Sequence, residues 1–198
     1  MLTNVSYQEK LLQKYTHLPW FTFPAIEYLV QLDLKDKTVF EWGSGDSTLF
    51  FFERCKKIIS VEHNPEYYAK CKAECDDVEI YLQNTDHFVE KINDFNMRFD
   101  VIVIDSERRE DCCQKAVEFL NVGGLIIFDN SNWHGGCCKF LRAVGLIQVD
   151  FHGMGPFNDY AWTTSLFFTR NSNFQPLLGQ QPQCPIFGDL IVGAKDVG

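Results

Sequence analysis

The stretch TVFEWGSGDST, residues 38–48, decides the fold. Its β-branched and aromatic run over 38–42 predicts a buried strand. Gly43 and Gly45 follow directly and allow the backbone to turn tightly. A stretch of helical length over 46–56 comes next. A strand, a glycine turn and a helix in immediate succession are typical of the first unit of an α/β fold.

The chain beyond this unit repeats the alternation of strand and helix. Apolar, β-rich runs that end in an acid or a turn predict parallel strands covered on both faces. Further strands are predicted at 57–62, 78–83, 99–105 and 124–129, with helices at 65–76, 86–96, 109–121 and 134–145. Gly123 and Gly124 are expected to end the helix over 109–121. This order predicts a doubly wound, mostly parallel α/β sheet in a three-layer αβα sandwich.

The pattern changes after residue 145. Two strands, 146–153 and 161–170, are joined without a helix, which predicts an antiparallel hairpin at one sheet edge and seven strands in total. We interpret the chain as a single domain over 1–198. Its parts are a helical N-terminal cap over 1–35, an α/β core over 36–170 and a C-terminal extension over 171–198, in which 187–193 is expected to dock back as a short strand.

Composition and charge argue against several classes of partner. The chain has 198 residues, with 18 Lys plus Arg against 27 Asp plus Glu and a formal net charge of -9. This balance argues against a dedicated nucleic-acid or membrane-surface binder. The longest apolar runs, 49–52 and 125–128, are too short to span a bilayer. Eight cysteines without a secretory signal favour reduced thiols and a cytoplasmic location.

Polar clusters follow every predicted parallel strand. Ligands of open α/β sheets bind outside the carboxyl ends of the strands, so these clusters are the candidate site. The clusters are Glu41–Thr48, Glu62–Asn64, Asn84–Asp86, Asp105–Arg108 and Asp129–Asn132. Polar clusters at every parallel strand end indicate a ligand site more specifically than any single motif does.

Two acids indicate which ligand the site takes. Glu41 stands before the glycine loop, where a carboxylate would repel a pyrophosphate and attract an ammonium group. Thr48 occupies the third glycine position of a dinucleotide fingerprint, which also weakens NAD binding. Glu62 ends the second strand, where an acid can accept both hydroxyls of a ribose. We therefore expect an adenosine cofactor that carries a positive charge.

Four segments together resemble a known family. EWGSGDST (41–48), SVEHN (60–64), FDVIVID (99–105) and the segment ending in LIIFDN (125–130) look like those of class I S-adenosylmethionine-dependent methyltransferases. The resemblance covers roughly residues 38–170 and implies a Rossmann-like sheet of seven strands. It also implies a methyltransferase with S-adenosylmethionine as its cofactor.

The resemblance implies a set of cofactor-binding residues. In that family the acid and glycines of the first loop contact the methionine part, the acid after the second strand binds the ribose, and the loop after the third strand lies by the adenine. The implied residues here are Glu41, Gly43, Gly45, Ser47, Thr48, Glu62, His63, Thr85, Asp86 and Asp105. Ser47 departs from the family, many of whose members have a third glycine at that position.

The expected reaction is O-methylation of a small-molecule acceptor by in-line methyl transfer. Such a reaction needs alignment and exclusion of water more than a protein nucleophile. The sequence offers no convincing Ser-His-Asp or Cys-His set, which agrees with this expectation. Two alternatives stay open: a non-catalytic protein that binds the adenosyl cofactor, and a nucleotide-dependent oxidoreductase.

A metal site is predicted at Asp105, Asp129 and Asn130, which end adjacent strands. Carboxylate and amide oxygens suit Mg²⁺ or Ca²⁺. The set resembles that of metal-dependent O-methyltransferases of the catechol and caffeoyl-coenzyme A types. Alternatively, Asp105 only supports the cofactor site, and Asp129 and Asn130 cap the following helix.

Asp105, Arg108 and His134 are the predicted catalytic residues. The metal-dependent families usually have a lysine at the position of Arg108, and a guanidinium stays protonated, so it can steer an anionic substrate but cannot act as a base. His134 can act as a general base because an imidazole titrates near neutral pH. Aromatic residues expected to wall an acceptor pocket are Trp20, Phe21, Phe23, Trp133, Phe157, Tyr160 and Trp162. Homodimerisation through the N-terminal helices is a further expectation.

Overall fold

The predicted strands form one seven-stranded sheet in the computed structural model, which describes residues 4–188. They are β1 (Thr38–Trp42), β2 (Lys57–Glu62), β3 (Glu79–Leu82), β4 (Phe99–Ile104), β5 (Leu120–Phe128), β6 (Ile147–Gly153) and β7 (Trp162–Phe168). Their order is β3-β2-β1-β4-β5-β7-β6. The first five strands pair in parallel, and β7 runs antiparallel to both β5 and β6. The predicted fold class, with its antiparallel edge hairpin, is confirmed.

Seven α-helices of the described residues connect or cover the strands. They are α1 (Asn4–Leu12), α2 (Phe23–Leu29), α3 (Asp46–Phe52), α4 (Pro65–Glu74), α5 (Thr85–Phe88), α6 (Arg109–Phe119) and α7 (Gly135–Ala143). Short 3-10 helices cover Glu90–Phe95 and Ser131–Trp133. The start of α4 is fixed by Asn64, whose side-chain oxygen accepts the Glu66 N–H at 2.8 Å, with Pro65 in the first turn.

Each face of the sheet has its own hydrophobic core. Alternate residues of a strand point to opposite faces, so Val101 and Val103 of β4 join one cluster while Ile102 and Ile104 join the other. The first cluster includes residues of α2 and α3, and the second includes residues of α6 and α7. Burial on both faces explains why the central strands read as continuous apolar runs.

Two predicted helix boundaries are wrong. Gly123 and Gly124 do not end a helix, because α6 ends at Phe119 and both glycines lie inside β5. A Cβ on Gly124 would come within 2.9 Å of the Asp100 carbonyl oxygen, and the β4–β5 register shifts near this point. Gly124 therefore serves a close approach of two strands, whereas Gly123 adopts a φ of +89°. The predicted helix over 86–96 is instead α5 followed by a 3-10 helix.

Part of the C-terminal extension is described. The Leu177 N–H donates to the Gln31 carbonyl at 2.7 Å, and the Asp33 N–H donates to the Gln175 carbonyl at 2.8 Å. The extension therefore packs beside the end of α2. The strand predicted over 187–193 lies outside the described residues from 189 onward. The division into cap, core and extension stays a prediction.

Two further observations concern membrane-spanning helices and the cysteines. Between residues 4 and 188, the structure contains no helix long and apolar enough to cross a membrane. All eight cysteines are free, as the sequence predicted.

Candidate active site

An open cavity of about 310 Å³ lies at the carboxyl ends of β1, β2 and β4. Its position is where ligands bind in open α/β sheets, and its size suits a small molecule. Four lining residues are acidic and two are basic, with one histidine. The wall consists of Trp20, Gly43, Ser44, Gly45, Asp46, Ser47, Glu62, His63, Asn64, Tyr67, Lys70, Asp105, Ser106, Glu107 and Arg109.

The glycine loop is held against the ends of β2 and β4. Gly43 has a φ of +98° and donates its N–H to the Val61 carbonyl at 2.9 Å. A Cβ at Gly43 would lie 2.0 Å from the Asp105 carbonyl oxygen, so a larger residue cannot occupy this position without moving the loop. Gly45 differs, because a Cβ there would meet nothing within 4 Å. Gly43 is thus needed for the turn, whereas Gly45 leaves open space beside the backbone.

Glu41 lies beneath this loop rather than among the residues that line the cavity. Its carboxylate is fully buried and accepts hydrogen bonds from Ser47 Oγ at 2.5 Å, Thr48 Oγ1 at 2.5 Å and Ser60 Oγ at 2.9 Å. Burial raises the pKa of Glu41 to about 7 despite these donors. Glu41 and Thr48 therefore hold the start of α3, and Ser47 reaches the cavity wall. The direct contact of Glu41 with a cofactor stays a prediction.

Glu62 presents a fixed carboxylate to the cavity although it is only 3% exposed. Its Oε2 accepts the Ser44 N–H at 2.6 Å and the Ser44 hydroxyl at 3.2 Å. Its Oε1 accepts the N–H groups of His63 at 2.9 Å and Asn64 at 2.7 Å. These donors fix the orientation of the carboxylate at the end of β2.

The remaining predicted cofactor residues lie around this carboxylate or on α5. His63 lines the cavity, with its Nε2 at 3.7 Å from the Glu107 carboxylate. The His63 ring meets Phe88 edge to face at 5.5 Å. Thr85 begins α5, and Asp86 is exposed on that helix. Their roles toward adenine stay predictions.

Arg109, the first residue of α6, closes the β4 side of the cavity. Its Nη2 donates to Asp105 Oδ1 at 2.6 Å and to Asn130 Oδ1 at 2.8 Å. Its Nε donates to the Asp129 carbonyl at 3.3 Å, and its Nη1 donates to the Ser106 carbonyl. Burial raises the pKa of Asp105, and the guanidinium opposes this effect. One guanidinium thus gathers oxygens from the ends of β4 and β5.

The Mg²⁺ site predicted at Asp105, Asp129 and Asn130 does not fit this arrangement. The Asp129 carboxylate turns toward β7, where its Oδ1 accepts Trp162 Nε1–H at 3.0 Å and the Thr164 hydroxyl at 2.5 Å. Burial, and secondarily the charge of Asp105, raises the pKa of Asp129 to about 8. The side-chain oxygens of the other two predicted ligands already accept from the guanidinium. The Asn130 side chain forms no capping hydrogen bond, so the alternative capping role is not found for Asn130, while support of the cofactor site by Asp105 stays a prediction.

The structure corrects the predicted catalytic arginine. Arg108 lies on the surface, where its Nε and Nη2 donate to the Asp111 carboxylate at 2.9 and 2.6 Å. The arginine of the cavity wall is its neighbour Arg109, which sequence reasoning missed. Arg109 follows Asp105 by four residues, a spacing that favours neither arginine over the other until the start of α6 is known. His134 is half-buried, stacks edge-on against Phe128 at 5.8 Å and does not line the cavity.

The predicted aromatic wall divides into buried and exposed members. Phe21, Phe23 and Trp162 are at most 5% exposed and belong to the interior. Trp20 lines the cavity and packs against Phe157 at 5.1 Å between ring centres. The Trp133 and Tyr160 rings form a second exposed pair, with ring centres 6.4 Å apart. Of the predicted aromatic wall, Trp20 is the residue that lines the cavity.

Residues 49–142, a little under half of the chain, match the model of a family described as O-methyltransferase. The match begins directly after Thr48, so it includes β2 to β5 and excludes the glycine loop. No curated protein matches the sequence significantly.

Three solved structures illustrate the likeness of the fold. The precorrin-6y C5,15-methyltransferase from Geobacter metallireducens is 14% identical with a TM-score of 0.59, over 73% of this chain and 88% of that chain. The O-methyltransferase TomG from Streptomyces achromogenes, in complex with SAM, is 12% identical with a TM-score of 0.55, over 85% and 81%. The fibrillarin pre-rRNA processing protein from Methanococcus jannaschii is 14% identical with a TM-score of 0.57, over 76% and 75%.

The seven-stranded sheet and its likeness to these solved structures show the class I methyltransferase fold. The family match and this fold together support an S-adenosylmethionine-dependent methyltransferase. The names of the three neighbours point to different acceptors, so the fold does not fix the acceptor.

Proposed function

We propose that this protein transfers the methyl group of S-adenosylmethionine to an oxygen atom of a small-molecule acceptor. The observation that carries the proposal is the cavity between the glycine loop and Glu62, whose wall has an excess of acids. When bound, S-adenosylmethionine supplies an electrophilic methyl group on a positively charged sulfur.

The charge of the wall supports a cationic cofactor. Asp46, Glu62, Asp105 and Glu107 outnumber Lys70 and Arg109. An acidic wall attracts a sulfonium and repels the pyrophosphate of a dinucleotide. The same excess of acids weighs against a nucleic-acid acceptor, whose phosphates need basic partners.

Glu62 is the proposed ribose ligand. A carboxylate has about four acceptor positions, and here the Ser44 hydroxyl makes the longest of the four contacts, at 3.2 Å. A ribose hydroxyl can replace that contact while the three backbone N–H groups keep the carboxylate in place. The open backbone at Gly45 supports close approach of the methionine part. Glu41 and Thr48 are proposed to position the loop from below.

The acceptor is proposed to be a planar or apolar small molecule. Trp20 and Phe157 form an exposed aromatic pair at the cavity mouth, which suits a flat ligand. Asp105 is the predicted catalytic residue that lines the cavity. His134 stays a candidate base, because burial and the charge of Arg109 lower its pKa and so favour the neutral imidazole.

Methyl-labelled S-adenosylmethionine and a panel of acceptors test this function. Phenols, carboxylic acids, primary amines and total RNA are incubated separately with the protein, and the label in each product is counted. Label in a phenol or an acid, lost in Glu62→Ala, supports the proposal. Label confined to amines contradicts O-methylation, and label confined to RNA contradicts a small-molecule acceptor. No transfer to any acceptor, with intact cofactor binding, favours the non-catalytic alternative.

A cytoplasmic location is supported by the eight free cysteines, since thiols stay reduced in the cytosol. Homodimerisation through the N-terminal helices stays a prediction. Light scattering tests it, because a dimer has about twice the 22.9 kDa of one chain.

A further inference from the structure

We infer that the Arg109 guanidinium takes the place of a divalent cation at the β4 side of the cavity, and that it holds an anionic oxygen of the acceptor there without any metal. The inference deepens the proposed function and rests on it. It identifies the acceptor class as molecules with an acidic oxygen, such as a phenol or a carboxylic acid.

The first argument is that Arg109 already contacts the oxygens at the predicted metal site. Asp105 Oδ1, Asn130 Oδ1 and the Asp129 carbonyl converge on one side chain, as they would on a cation. Asp105 Oδ1 and Asn130 Oδ1 accept from Nη2 at 2.6 and 2.8 Å, so a cation bound to these two oxygens would lie beside the guanidinium. A divalent ion at this point would also face the like charge of the guanidinium. Cation and guanidinium therefore exclude each other.

The second argument concerns the one N–H group of Arg109 that is left for an acceptor molecule. A guanidinium has five N–H groups, and four of those of Arg109 have acceptors within residues 4–188. The remaining Nη1 hydrogen has none among those residues. Arg109 forms part of the cavity wall, with only 14% of its side chain exposed. A half-enclosed, permanently protonated donor favours an oxyanion as its partner.

The third argument is rigidity. The carbonyls of Asp129 and Ser106 and the side chains of Asp105 and Asn130 fix the guanidinium from the ends of β4 and β5. A preorganised positive group costs no rearrangement when the acceptor ionises. Lysine has the charge but not the planar set of donors, so it cannot hold all four oxygens.

Mn²⁺ binding to purified variants tests the inference with a readout other than activity. Arg109→Ala vacates the oxygens and is expected to bind Mn²⁺ about tenfold or more tightly than the wild type, as removal of one buried like charge allows. Arg108→Ala is the matched control, because its side chain lies at the surface, and it is expected to behave as the wild type. Adding Asp105→Asn to Arg109→Ala is expected to abolish the gained binding.

Several results would overturn the inference. One is wild-type Mn²⁺ binding that Asn130→Ala removes, and another is methyl transfer that stops in chelator. A third is Arg109→Ala that stays folded, shown by an unchanged circular dichroism spectrum, without gaining Mn²⁺. If Arg109→Ala does not fold, Arg109→Met, which keeps the length of the side chain, replaces it. Failure of the wild type to bind S-adenosylhomocysteine rejects the proposed function instead. The comparison of Mn²⁺ binding between variants does not depend on that result.

Discussion

The Ser44 N–H donates to the Glu62 carboxylate at 2.6 Å, so the loop after β1 and the end of β2 are fixed to each other. This bond brings the glycine turn and the strand-end acid together, although 18 positions separate the two residues in the sequence. The proposed cofactor site depends on that junction, because one carboxylate both orders the loop and faces the cavity.

Glu62→Ala is expected to weaken S-adenosylhomocysteine binding by roughly 1.5–3 kcal/mol, since hydrogen bonds to a charged group are lost. Calorimetric titration measures the change in affinity. Glu66→Ala is the matched control, because Glu66 is an exposed acid in the first turn of α4. Equal affinities of Glu62→Ala and the wild type would contradict the ribose assignment.

The two glycines of the loop are expected to respond differently to alanine. Gly43→Ala places a Cβ 2.0 Å from a carbonyl oxygen at a φ of +98°, so it should lower the free energy of unfolding by about 2–5 kcal/mol. Gly45→Ala meets nothing and should change stability by less than about 1 kcal/mol. Urea denaturation of both variants measures this. Equal destabilisation of the two variants would contradict the close approach of Gly43 to the Asp105 carbonyl oxygen.

Glu41 is expected to make stability fall as pH rises. Its pKa is about 7 in the folded protein against 4.5 for the ordinary group, so the folded state holds more protons between these values. Its contribution is therefore complete below pH 4.5 and lost as pH rises through 7. At about 1.4 kcal/mol per pH unit, the loss is on the order of 3 kcal/mol.

Glu41→Gln removes this titration, so its free energy of unfolding should decline less between pH 4.5 and 8. Some decline persists, because Asp129 has a raised pKa of about 8 and acts in the same direction. Denaturation in urea at several pH values measures both curves, with Glu66→Gln as the exposed control. A decline in Glu41→Gln as steep as in the wild type would refute the assignment.

Thiol labelling checks the state of the cysteines. Cys184 is exposed, whereas Cys112 and Cys113 are buried and burial raises the pKa of each thiol. We expect Cys184 to react fastest with a disulfide reagent and the buried thiols to react only on unfolding. Cys184→Ser should remove the fast phase; a fast phase that survives would place an accessible thiol elsewhere.

The positions of the strands along the chain and the glycine turn could be predicted because they depend on local pattern. Apolar runs of strand length and the pair Gly43 and Gly45 carry the information within a few residues. Strand-end polarity likewise located the cavity, since the carboxyl ends of parallel strands meet at one edge.

The details of the acceptor side could not be predicted because they depend on contacts distant in sequence. The direction of the Asp129 carboxylate is decided by Trp162 and Thr164 on β7, more than thirty residues away. The choice between Arg108 and Arg109 depends on how α6 begins, which spacing alone does not settle. The register shift between β4 and β5, rather than a helix end, explains Gly124.

Calorimetric titration with S-adenosylhomocysteine, with NAD in parallel and chelator present in both, tests the central claim most directly. We expect micromolar binding of S-adenosylhomocysteine, whose ribose the Glu62 carboxylate can bind, and no heat from NAD, because the acidic wall repels a pyrophosphate. Binding of NAD without binding of S-adenosylhomocysteine would contradict the account.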